Sequence, residues 1–307
     1  MIHLVTLNPS LDLHFELDAA SRGKVGAVRG QSIHPGGKGL NLARFLSRMM
    51  VPFRCWVAGA GRAHPTQRLY RELLRLGEPC LPAGNLPVSA PVRFNLHLSR
   101  GGSFEKHNHP GYALTRAELR SLLDFLFRRT RPGDLVVLTG RLPAGAPEDT
   151  YREWIMRLQS QGRVIILDTS GEPLRKALDA RPFFVKVNLF EMGQALGTSF
   201  RNLESFKTRI PSLIRKGIVR GAVTDGARGA IAWDGATVLR LKAPGPVRSP
   251  GVVGAGDGFL AGWLAGLSAG LSLSVRARFA AECGARVAKM GIGDFRPPRM
   301  NRPRGGS

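Results

Sequence analysis

The sequence predicts an α/β fold in which helices cover both faces of a mostly parallel sheet, with a second, smaller β-sheet beside it. Short apolar runs alternate with amphipathic helical patterns through the second half of the chain: strands at 134–139, 163–168, 183–188 and 218–224, and helices at 147–160 and 202–216. Continuous apolar strands of this kind are typical of parallel sheets buried on both faces. Two glycine clusters open onto helices, and polar alternating segments early in the chain indicate the separate small sheet.

Length and composition set the class of protein. A chain of 307 residues fits one large α/β unit with a small appendage. Hydrophobic residues make up 43% and charged residues 22%, a globular composition, and no apolar run approaches the roughly 20 residues that span a bilayer. Since the first residues enter a strand pattern without a charged leader, we expect no signal peptide, no membrane partner and a cytoplasmic location. The three cysteines are far apart, which argues against a disulfide framework or a zinc site.

The formal net charge of +23 would fit a nucleic-acid-binding protein. The arginines are, however, scattered through every segment, and only the C-terminal stretch RPPRMNRPRGGS concentrates them. We therefore interpret the charge as a solvated surface that also attracts anionic ligands, and we expect no specific nucleic-acid partner. Because proline and glycine are frequent in that stretch, we expect one domain over 1–295 and a basic, disordered tail over 296–307.

The small sheet is assigned to two polar regions. A buried strand at 2–7 comes first and ends at Asn8-Pro9-Ser10. Residues 12–33 then alternate like strands, and so do residues 88–97, which turn into 103–107 as a hairpin. We place both regions in one small sheet.

The first glycine cluster is HPGGKG at 34–39, and it leads into a helix with a regular apolar face at Leu42, Phe45, Leu46 and Met49. It lacks the residues that a P-loop needs on either side of its Gly-Lys pair. What remains is a helix N-terminus with a flexible backbone, Lys38 and, one turn in, Asn41. This set suits hydrogen bonding to a polyhydroxylated or anionic ligand, and the alternative is a plain glycine turn.

The second glycine cluster, GVVGAGDGF at 251–259, is the feature around which the chain is organised. Gly254, Ala255 and Gly256 precede Asp257 and then a helical apolar pattern. A helix N-terminus has unpaired N–H groups and partial positive charge, so it favours a phosphate. An aspartate at that position suggests a base that takes a proton from an alcohol attacking a phosphoryl group. The alternative is an ordinary first-turn aspartate that stabilises the helix dipole.

Polar residues lie at the carboxyl ends of several predicted strands, where α/β sheets bind ligands. They are Thr139-Gly140-Arg141, Asp168, Lys186-Val187-Asn188 and Thr224-Asp225-Gly226. Other elements between the motifs are a strand at 55–60, a helix at 67–76, a helix beginning at the capping box Thr115–Glu118 and a late hairpin at Asp234-Gly235.

These motifs together resemble the PfkB (ribokinase-like) carbohydrate kinase family and, within it, the 1-phosphofructokinase and tagatose-6-phosphate kinase branch. The resemblance runs in order through TLNPSLD, PGGKGLNLA, TGRLPAG, VKVNLFE, VTDGARGA and VGAGDGF, and so covers nearly the whole domain. It implies a doubly wound central sheet with a β-sheet lid, approximately within 12–33 and 88–112. In that family the lid closes over the sugar and often forms a homodimer contact.

The resemblance also implies roles for single residues. Asp257 matches the catalytic base, and Gly254, Ala255 and Gly256 match the anion hole for the transferring phosphoryl group. Substrate-binding positions are matched by Asp12, Lys24, Gly37, Lys38, Asn41 and Arg93, of which Lys24 and Arg93 would hold a phosphate already on the sugar. Positions for ATP are matched by Lys186, Asn188, Glu191, Thr224, Gly226 and Gly229, and Glu191 would act on Mg²⁺ through water.

Two departures from the family pattern bear on function. Gly251 and Val252 stand where a small polar pair is usual, which puts a monovalent-cation loop in doubt. Arg141 replaces a usual serine, and it either grips the substrate's phosphate or narrows the site and changes the substrate.

The resemblance implies ATP-dependent phosphorylation of a phosphohexose, with fructose 1-phosphate converted to fructose 1,6-bisphosphate as the leading hypothesis. The nearest alternative is the same chemistry on tagatose 6-phosphate or fructose 6-phosphate. From another class comes a non-catalytic sugar-phosphate or nucleic-acid-binding protein on the same fold.

Overall fold

The computed structural model describes residues 1–18, 26–59, 64–77, 83–101, 103–243 and 254–300. Three residues singled out from the sequence, Lys24, Gly251 and Val252, lie outside these ranges.

The central feature is a sheet of nine strands. They are β1 (Ile2–Thr6), β4 (Phe53–Gly59), β5 (Ala83–Pro87), β8 (Leu135–Thr139), β9 (Val164–Asp168), β10 (Phe184–Asn188), β11 (Arg220–Thr224), β12 (Ala230–Asp234) and β13 (Thr237–Leu241). Their order in the sheet is β13-β12-β11-β10-β9-β8-β1-β4-β5. All neighbouring pairs are parallel except β11–β12 and β12–β13, so the sheet is mostly parallel, as predicted.

Helices cover both faces of this sheet, and each face has its own apolar core. One core includes Leu122, Trp154 and Met192, and the other includes Phe45 and Trp263. The helices are α1 (Lys38–Arg48), α2 (Pro65–Gly77), α3 (Arg116–Arg129), α4 (Thr150–Ser160), α5 (Glu172–Leu178), α6 (Leu189–Ala195), α7 (Leu203–Lys207), α8 (Ile210–Arg215), α9 (Ala255–Ser268) and α10 (Leu273–Met290), with one 3₁₀ turn at Gly226–Arg228. The doubly wound α/β fold is therefore confirmed.

The small sheet has four strands: β2 (Ser10–Leu17), β3 (Val28–Gly36), β6 (Arg93–Arg100) and β7 (Ser103–Asn108). Their order is β3-β2-β6-β7, with β2 parallel to β6 and the other two pairs antiparallel. In the ladder Asp12 lies opposite both His34 and Asn95. Since side chains alternate along each strand, Ser10, Asp12 and Asn95 share one face of this sheet. We call this sheet the lid.

Some boundaries differ from the prediction. The helix expected at 202–216 is two helices, α7 and α8, separated at Thr208 and Arg209. Pro211 lies in the first turn of α8, where a missing N–H costs nothing, whereas a continuous helix would place the proline in its interior. The alternating segment at 88–97 becomes a strand only from Arg93.

The packed chain extends beyond the domain boundary expected at residue 295. Arg286 donates from Nη1 to the carbonyl oxygens of Arg296 and Pro297, both at 3.2 Å. Met300 packs against the core that contains Phe45. Residues 296–300 therefore belong to the folded body, because apolar contacts outweigh the proline-rich composition there, and the remainder of the expected tail lies outside the described residues. No helix within the described ranges is both long and apolar enough to cross a membrane.

Candidate active site

A cleft of about 740 Å³ lies between the carboxyl ends of the central strands and the lid. The predicted site residues within the described ranges all line it: Asp12, Gly37, Lys38, Asn41, Arg93, Arg141, Lys186, Asn188, Glu191, Thr224, Gly226, Gly229, Gly254, Ala255, Gly256 and Asp257. Lys24 lies outside the described residues. Residues that are far apart in sequence therefore share one cavity, while their individual roles stay predictions.

Asp257 lies in the first turn of α9, with only 6% of its surface exposed. Asn41 donates from Nδ2 to Asp257 Oδ2 at 2.8 Å. The orientation of that amide is fixed by Arg44, whose Nη1 donates to Asn41 Oδ1 at 3.2 Å and whose Nη2 donates to the Pro35 carbonyl at 2.8 Å. This chain of hydrogen bonds occupies one carboxylate oxygen of Asp257, and no side chain of the described residues donates to the other.

The pKa of Asp257 is raised above the usual range of an aspartate. Burial is the main cause, since it penalises the charged form, and the nearby charge of Asp168 acts in the same direction. Lys38, Lys186 and the hydrogen bond from Asn41 oppose the rise without cancelling it. A carboxylate with a raised pKa is a stronger base than an ordinary aspartate, yet it remains close to cations that favour its ionised form.

The start of α9 is shaped to receive an anion. Gly254 adopts a left-handed conformation (φ 93°), and no side chain caps the helix. A Cβ added to Gly256 would lie 2.5 Å from Lys186 Nζ, so the lysine ammonium group lies directly against the backbone of the first turn. Unpaired N–H groups and a cation therefore meet at one end of the cleft, beside Asp257.

A buried carboxylate joins the two lysines of the site. Asp168, at the end of β9, is fully buried and accepts a hydrogen bond from Lys38 Nζ at 2.9 Å, while Lys186 Nζ lies 3.9 Å from the same oxygen. Thr139 Oγ1 donates to the other oxygen at 3.4 Å. Burial alone would raise the pKa of Asp168, but Lys186 and Lys38 outweigh it and hold the pKa below its usual value. Burial alone would lower the pKa of Lys38, but the charges of Asp168 and Asp257 outweigh it and raise that pKa.

The lid contributes a second carboxylate. Ser10 Oγ donates to Asp12 Oδ1 at 2.7 Å, and Asn95 Nδ2 donates to the same oxygen at 2.8 Å. A Cβ added to Gly36 would lie 2.4 Å from Asp12 Oδ2, so a glycine is needed for the close approach of the neighbouring strand. Asp12 is thus held by one oxygen, and its side chain lines the cleft where a sugar hydroxyl could donate to it.

Asn188 and Glu191, at the end of the cleft away from the lid, have a structural role at the start of α6. Asn188 Oδ1 accepts from the backbone N–H of Glu191 at 2.8 Å, and Glu191 Oε2 accepts from the N–H of Asn188 at 2.9 Å. This pair is a capping box that begins α6. The K-x-N-x-x-E spacing therefore has a structural role, and it also leaves Glu191 Oε1 available at the cleft.

The residues fit a magnesium ion held mainly by phosphates and water. Among the described residues no group of three His, Cys, Asp or Glu side chains is arranged to hold a metal ion directly. Magnesium in kinases usually keeps several waters and takes one or two carboxylates plus substrate phosphates. Glu191 is the carboxylate that lines that end of the cleft, whereas Asp168 is fully buried beneath it and paired with two lysines.

Several functional candidates had no role assigned from the sequence. The sequence placed Asp168 at the end of a strand but gave it no partner. The position of β9 between β8 and β10 in the sheet is the signal that could have predicted its contact with the lysines. Ser10, Asn95 and Lys106 sit on polar strands whose pairing register only the fold reveals.

Comparison with known proteins agrees with this geometry. The family model described as pfkB family carbohydrate kinase matches residues 113–292. The 1-phosphofructokinase of Bacillus subtilis (strain 168) is 31% identical over 290 residues, covering 94% of this chain and 92% of the relative. The 1-phosphofructokinase of Vibrio cholerae is 30% identical over 293 residues, covering 94% and 90%. The structure of phosphofructokinase-2 from Escherichia coli in complex with fructose-6-phosphate is similar with a TM-score of 0.84 at 26% identity, covering 94% and 93% of the two chains.

The order of the motifs, the doubly wound sheet with its lid and these matches agree with one another. The chain belongs to the pfkB family of carbohydrate kinases, and it is a sugar phosphotransferase with ATP as its co-substrate.

Proposed function

We propose that this protein transfers a phosphoryl group from ATP to the 6-hydroxyl of fructose 1-phosphate, giving fructose 1,6-bisphosphate. The observation that carries the proposal is the placement of Asp257, a buried base at the anion-favouring start of α9, in one cleft with the polar face of the lid. The full-length similarity to two 1-phosphofructokinases supports the choice of sugar.

Asp257 takes the proton of the attacking hydroxyl. Asn41 fixes the plane of the carboxylate through Oδ2, so the other oxygen is directed to the substrate. Because the carboxylate is buried, its basicity is higher than that of an exposed aspartate. Removing the proton as the oxygen attacks supplies the nucleophile at neutral pH.

The N–H groups at Gly254, Ala255 and Gly256, together with the Lys186 ammonium group, stabilise the charge on the transferring phosphoryl oxygens. Asp168 pairs with Lys38 and Lys186 and holds both ammonium groups in place. This arrangement is fixed before the substrate binds, so little reorganisation is needed during the reaction.

The nucleotide is bound at the end of the cleft formed after β10 and β11. Asn188, Glu191, Thr224, Gly226 and Gly229 line this end. Mg²⁺ would be held through water by Glu191, and when bound it neutralises charge on the phosphates of ATP. The positive φ of Gly226 (52°) and Gly229 (91°) favours glycine in the turn between β11 and β12.

The sugar is bound between Asp12 on the lid and Asp257 in the body. Ser10 and Asn95 orient Asp12 toward a sugar hydroxyl.

We also propose that the lid closes over the sugar and that the face opposite Asp12 contacts a second copy of the chain. Phe94 lies on that opposite face, and its side chain is 38% exposed. Sedimentation of the wild-type protein and of Phe94→Glu at the same concentration tests this contact.

A second candidate substrate is a hexose 6-phosphate accepting at its 1-hydroxyl. The similarity to a phosphofructokinase-2 solved with fructose-6-phosphate favours it. Both sugars place a phosphate at one end and a reacting hydroxyl at the other, so the same cleft could hold either.

ADP release from ATP and Mg²⁺ tests the proposal, with fructose 1-phosphate, fructose 6-phosphate, tagatose 6-phosphate and fructose compared side by side. We expect the highest kcat/KM with fructose 1-phosphate. A clear preference for a 6-phosphate would replace the proposed substrate by the second candidate. No ADP release above the ATP-only control with any of the four sugars would contradict the function.

A further inference from the structure

Helix α10 packs closely against the first turns of α9. A Cβ added to Gly258 would lie 2.6 Å from Val287 Cγ2, and one added to Gly262 would lie 2.8 Å from Cys283 Sγ. Glycines on this face of α9 therefore let α10 approach the helix that carries Asp257. The position of α10 thus bears directly on the start of α9.

The chain that follows α10 returns to Gly254. We call residues 291–295 the strap. Gly291 turns the chain with a φ of 80°, and the side chain of Ile292 then lies against the backbone of Gly254. A Cβ added to Gly254 would lie 2.8 Å from both Cγ1 and Cδ1 of Ile292, and 3.6 Å from Val287 Cγ1. One side of the glycine turn is therefore packed against apolar side chains of the strap and of α10.

Helix α1 holds the strap in place. Arg48, in the last turn of α1, donates from Nη1 to the Ile292 carbonyl at 2.6 Å. The same nitrogen donates to the Phe295 carbonyl at 3.4 Å, and Nη2 donates to the Gly293 carbonyl at 2.7 Å. The ring centroids of Phe295 and Phe45, which is also on α1, are 4.8 Å apart. Because a guanidinium group has several donors in a fixed plane, one arginine can hold three carbonyls of the strap.

The contact with Ile292 matters because Gly254 has no fixed conformation of its own. Gly254 has a φ of 93°, and glycine adopts many other conformations at little cost. The N–H groups that follow it can stabilise a phosphoryl group only if they are fixed in position before the substrate arrives. Packing must therefore fix this turn, and the side chain closest to the missing Cβ of Gly254 is that of Ile292.

We propose that Ile292 and Arg48 are positioning residues for phosphoryl transfer: Ile292 holds Gly254 in its left-handed conformation, and Arg48 holds Ile292 through the strap. This inference rests on the proposed function and deepens it. Neither side chain is among the described residues that line the cleft, so both act through the backbone of the glycine turn. Helix α1 thereby fixes two parts of the site, since Asn41 near its start donates to Asp257 and Arg48 at its end holds the strap.

Ile292→Ala and Arg48→Gln test the inference, with Ile292→Val and Arg48→Lys as the conservative variants. Valine keeps a methyl group at the Cγ1 position and lacks only Cδ1. Ile214→Ala is the matched control for Ile292, because Ile214 is a partly buried isoleucine packed against the core on the other face of the sheet. Arg128→Gln is the control for Arg48, because Arg128 is likewise exposed in the last turn of a helix, here α3.

Two measurements are made on each variant. ADP release from ATP and Mg²⁺ gives kcat and KM with fructose 1-phosphate and with fructose 6-phosphate. Hydrogen exchange of the Gly258 N–H, followed by NMR on the ligand-free protein, reports on the turn without turnover. This N–H donates to the Gly254 carbonyl at 2.8 Å, so its exchange becomes faster when the turn loosens.

We expect Ile292→Ala to lower kcat by about 10- to 100-fold, because a displacement of about 1 Å near reacting groups has effects of this size. Both kcat and kcat/KM should fall together, since the turn acts mainly on the transition state. Arg48→Gln should lower kcat by roughly 3- to 10-fold, a smaller loss because two of its three hydrogen bonds are exposed to water.

The remaining variants separate positioning from general stability. Ile292→Val and Arg48→Lys should each recover part of the lost kcat. The double variant Ile292→Ala with Arg48→Gln should lose no more kcat than Ile292→Ala alone, because Arg48 acts through Ile292. Exchange at Gly258 should be faster in Ile292→Ala and in Arg48→Gln. Both controls should keep the kcat and the exchange rate of wild type.

The outcomes separate this inference from the proposed function. A kcat of Ile292→Ala that falls no further than that of Ile214→Ala, or a change confined to KM, overturns the role of Ile292 and keeps the kinase. Losses that multiply in the double variant overturn the action of Arg48 through Ile292.

A wild-type protein that releases no ADP with any sugar contradicts the proposed function. Faster exchange at Gly258 in Ile292→Ala would then keep the role of Ile292 in holding the turn. Exchange that stays at the wild-type rate would overturn that role as well.

Discussion

Replacing Asp168 by asparagine removes the buried charge that pairs with Lys38 and Lys186. Removing one partner of a buried ion pair typically costs about 3–5 kcal/mol, because the remaining charge has no compensation. Lys38 is 35% exposed and can regain water, but Lys186 is only 5% exposed and cannot. We therefore expect a loss near the lower limit, about 3 kcal/mol. At roughly 2 cal/mol/K of unfolding entropy per residue, this lowers the melting temperature by about 5 °C.

Urea and thermal denaturation of the ligand-free protein measure this loss. A double-mutant cycle with Lys186→Met isolates the pair, and we expect a coupling energy above about 1 kcal/mol. Glu72→Gln is the control, because Glu72 pairs with Arg75 at 2.6 Å while both side chains are more than half exposed, and it should leave the midpoint unchanged. An Asp168→Asn protein that melts with wild type, or a cycle without coupling, would refute the reasoning.

Three further predictions concern α9 and its first turn. Burial raises the pKa of Asp257, so kcat should fall as the pH is lowered, with a midpoint above the pKa of roughly 3.9 of a free aspartate. We follow kcat, because kcat/KM also reports the substrate's own phosphate, which titrates near about pH 6. A flat kcat profile down to about pH 4 would contradict the role of Asp257 as the base. The pKa of Asp257 is higher in the folded than in the unfolded protein, so its ionisation lowers the stability of the fold at pH values above the unfolded pKa. We therefore expect Asp257→Asn to melt at or above the wild-type temperature at about pH 7. A lower melting temperature of the variant would show that the charge stabilises the fold. Gly256→Ala places a Cβ 2.5 Å from Lys186 Nζ and should displace the lysine from the first turn, with a fall in kcat of about tenfold or more; unchanged kcat would show that the lysine does not act there.

The sequence predicted best what depends on local periodicity and on glycine. The two glycine clusters open onto α1 and α9 as expected, and strands β8 to β11 lie within two residues of their predicted bounds. Short helices were harder to predict. Helices α5 and α6 have seven residues each, too few for a clear apolar period, so their patterns merge with the adjoining loops.

Long-range pairing set the limit of prediction for the site. The sequence placed Asp168 at a strand end, but its contact with both lysines follows from strand order in the sheet. The sequence likewise indicated only a turn at Asn8. Its hydrogen bonds to two distant loops depend on the pairing of β1 with β8, which the fold determines. The central residues were nonetheless predictable, since Gly254 to Asp257 form one continuous motif.

The central claim is that Asp257 is the base of a sugar kinase. The most direct measurement is ADP release by wild type and Asp257→Asn with saturating ATP, Mg²⁺ and the preferred phosphohexose, after calorimetry has shown that both proteins bind both substrates. We predict that kcat of the variant falls by about 10²- to 10⁴-fold while substrate binding is retained. A variant that keeps wild-type kcat would contradict the account.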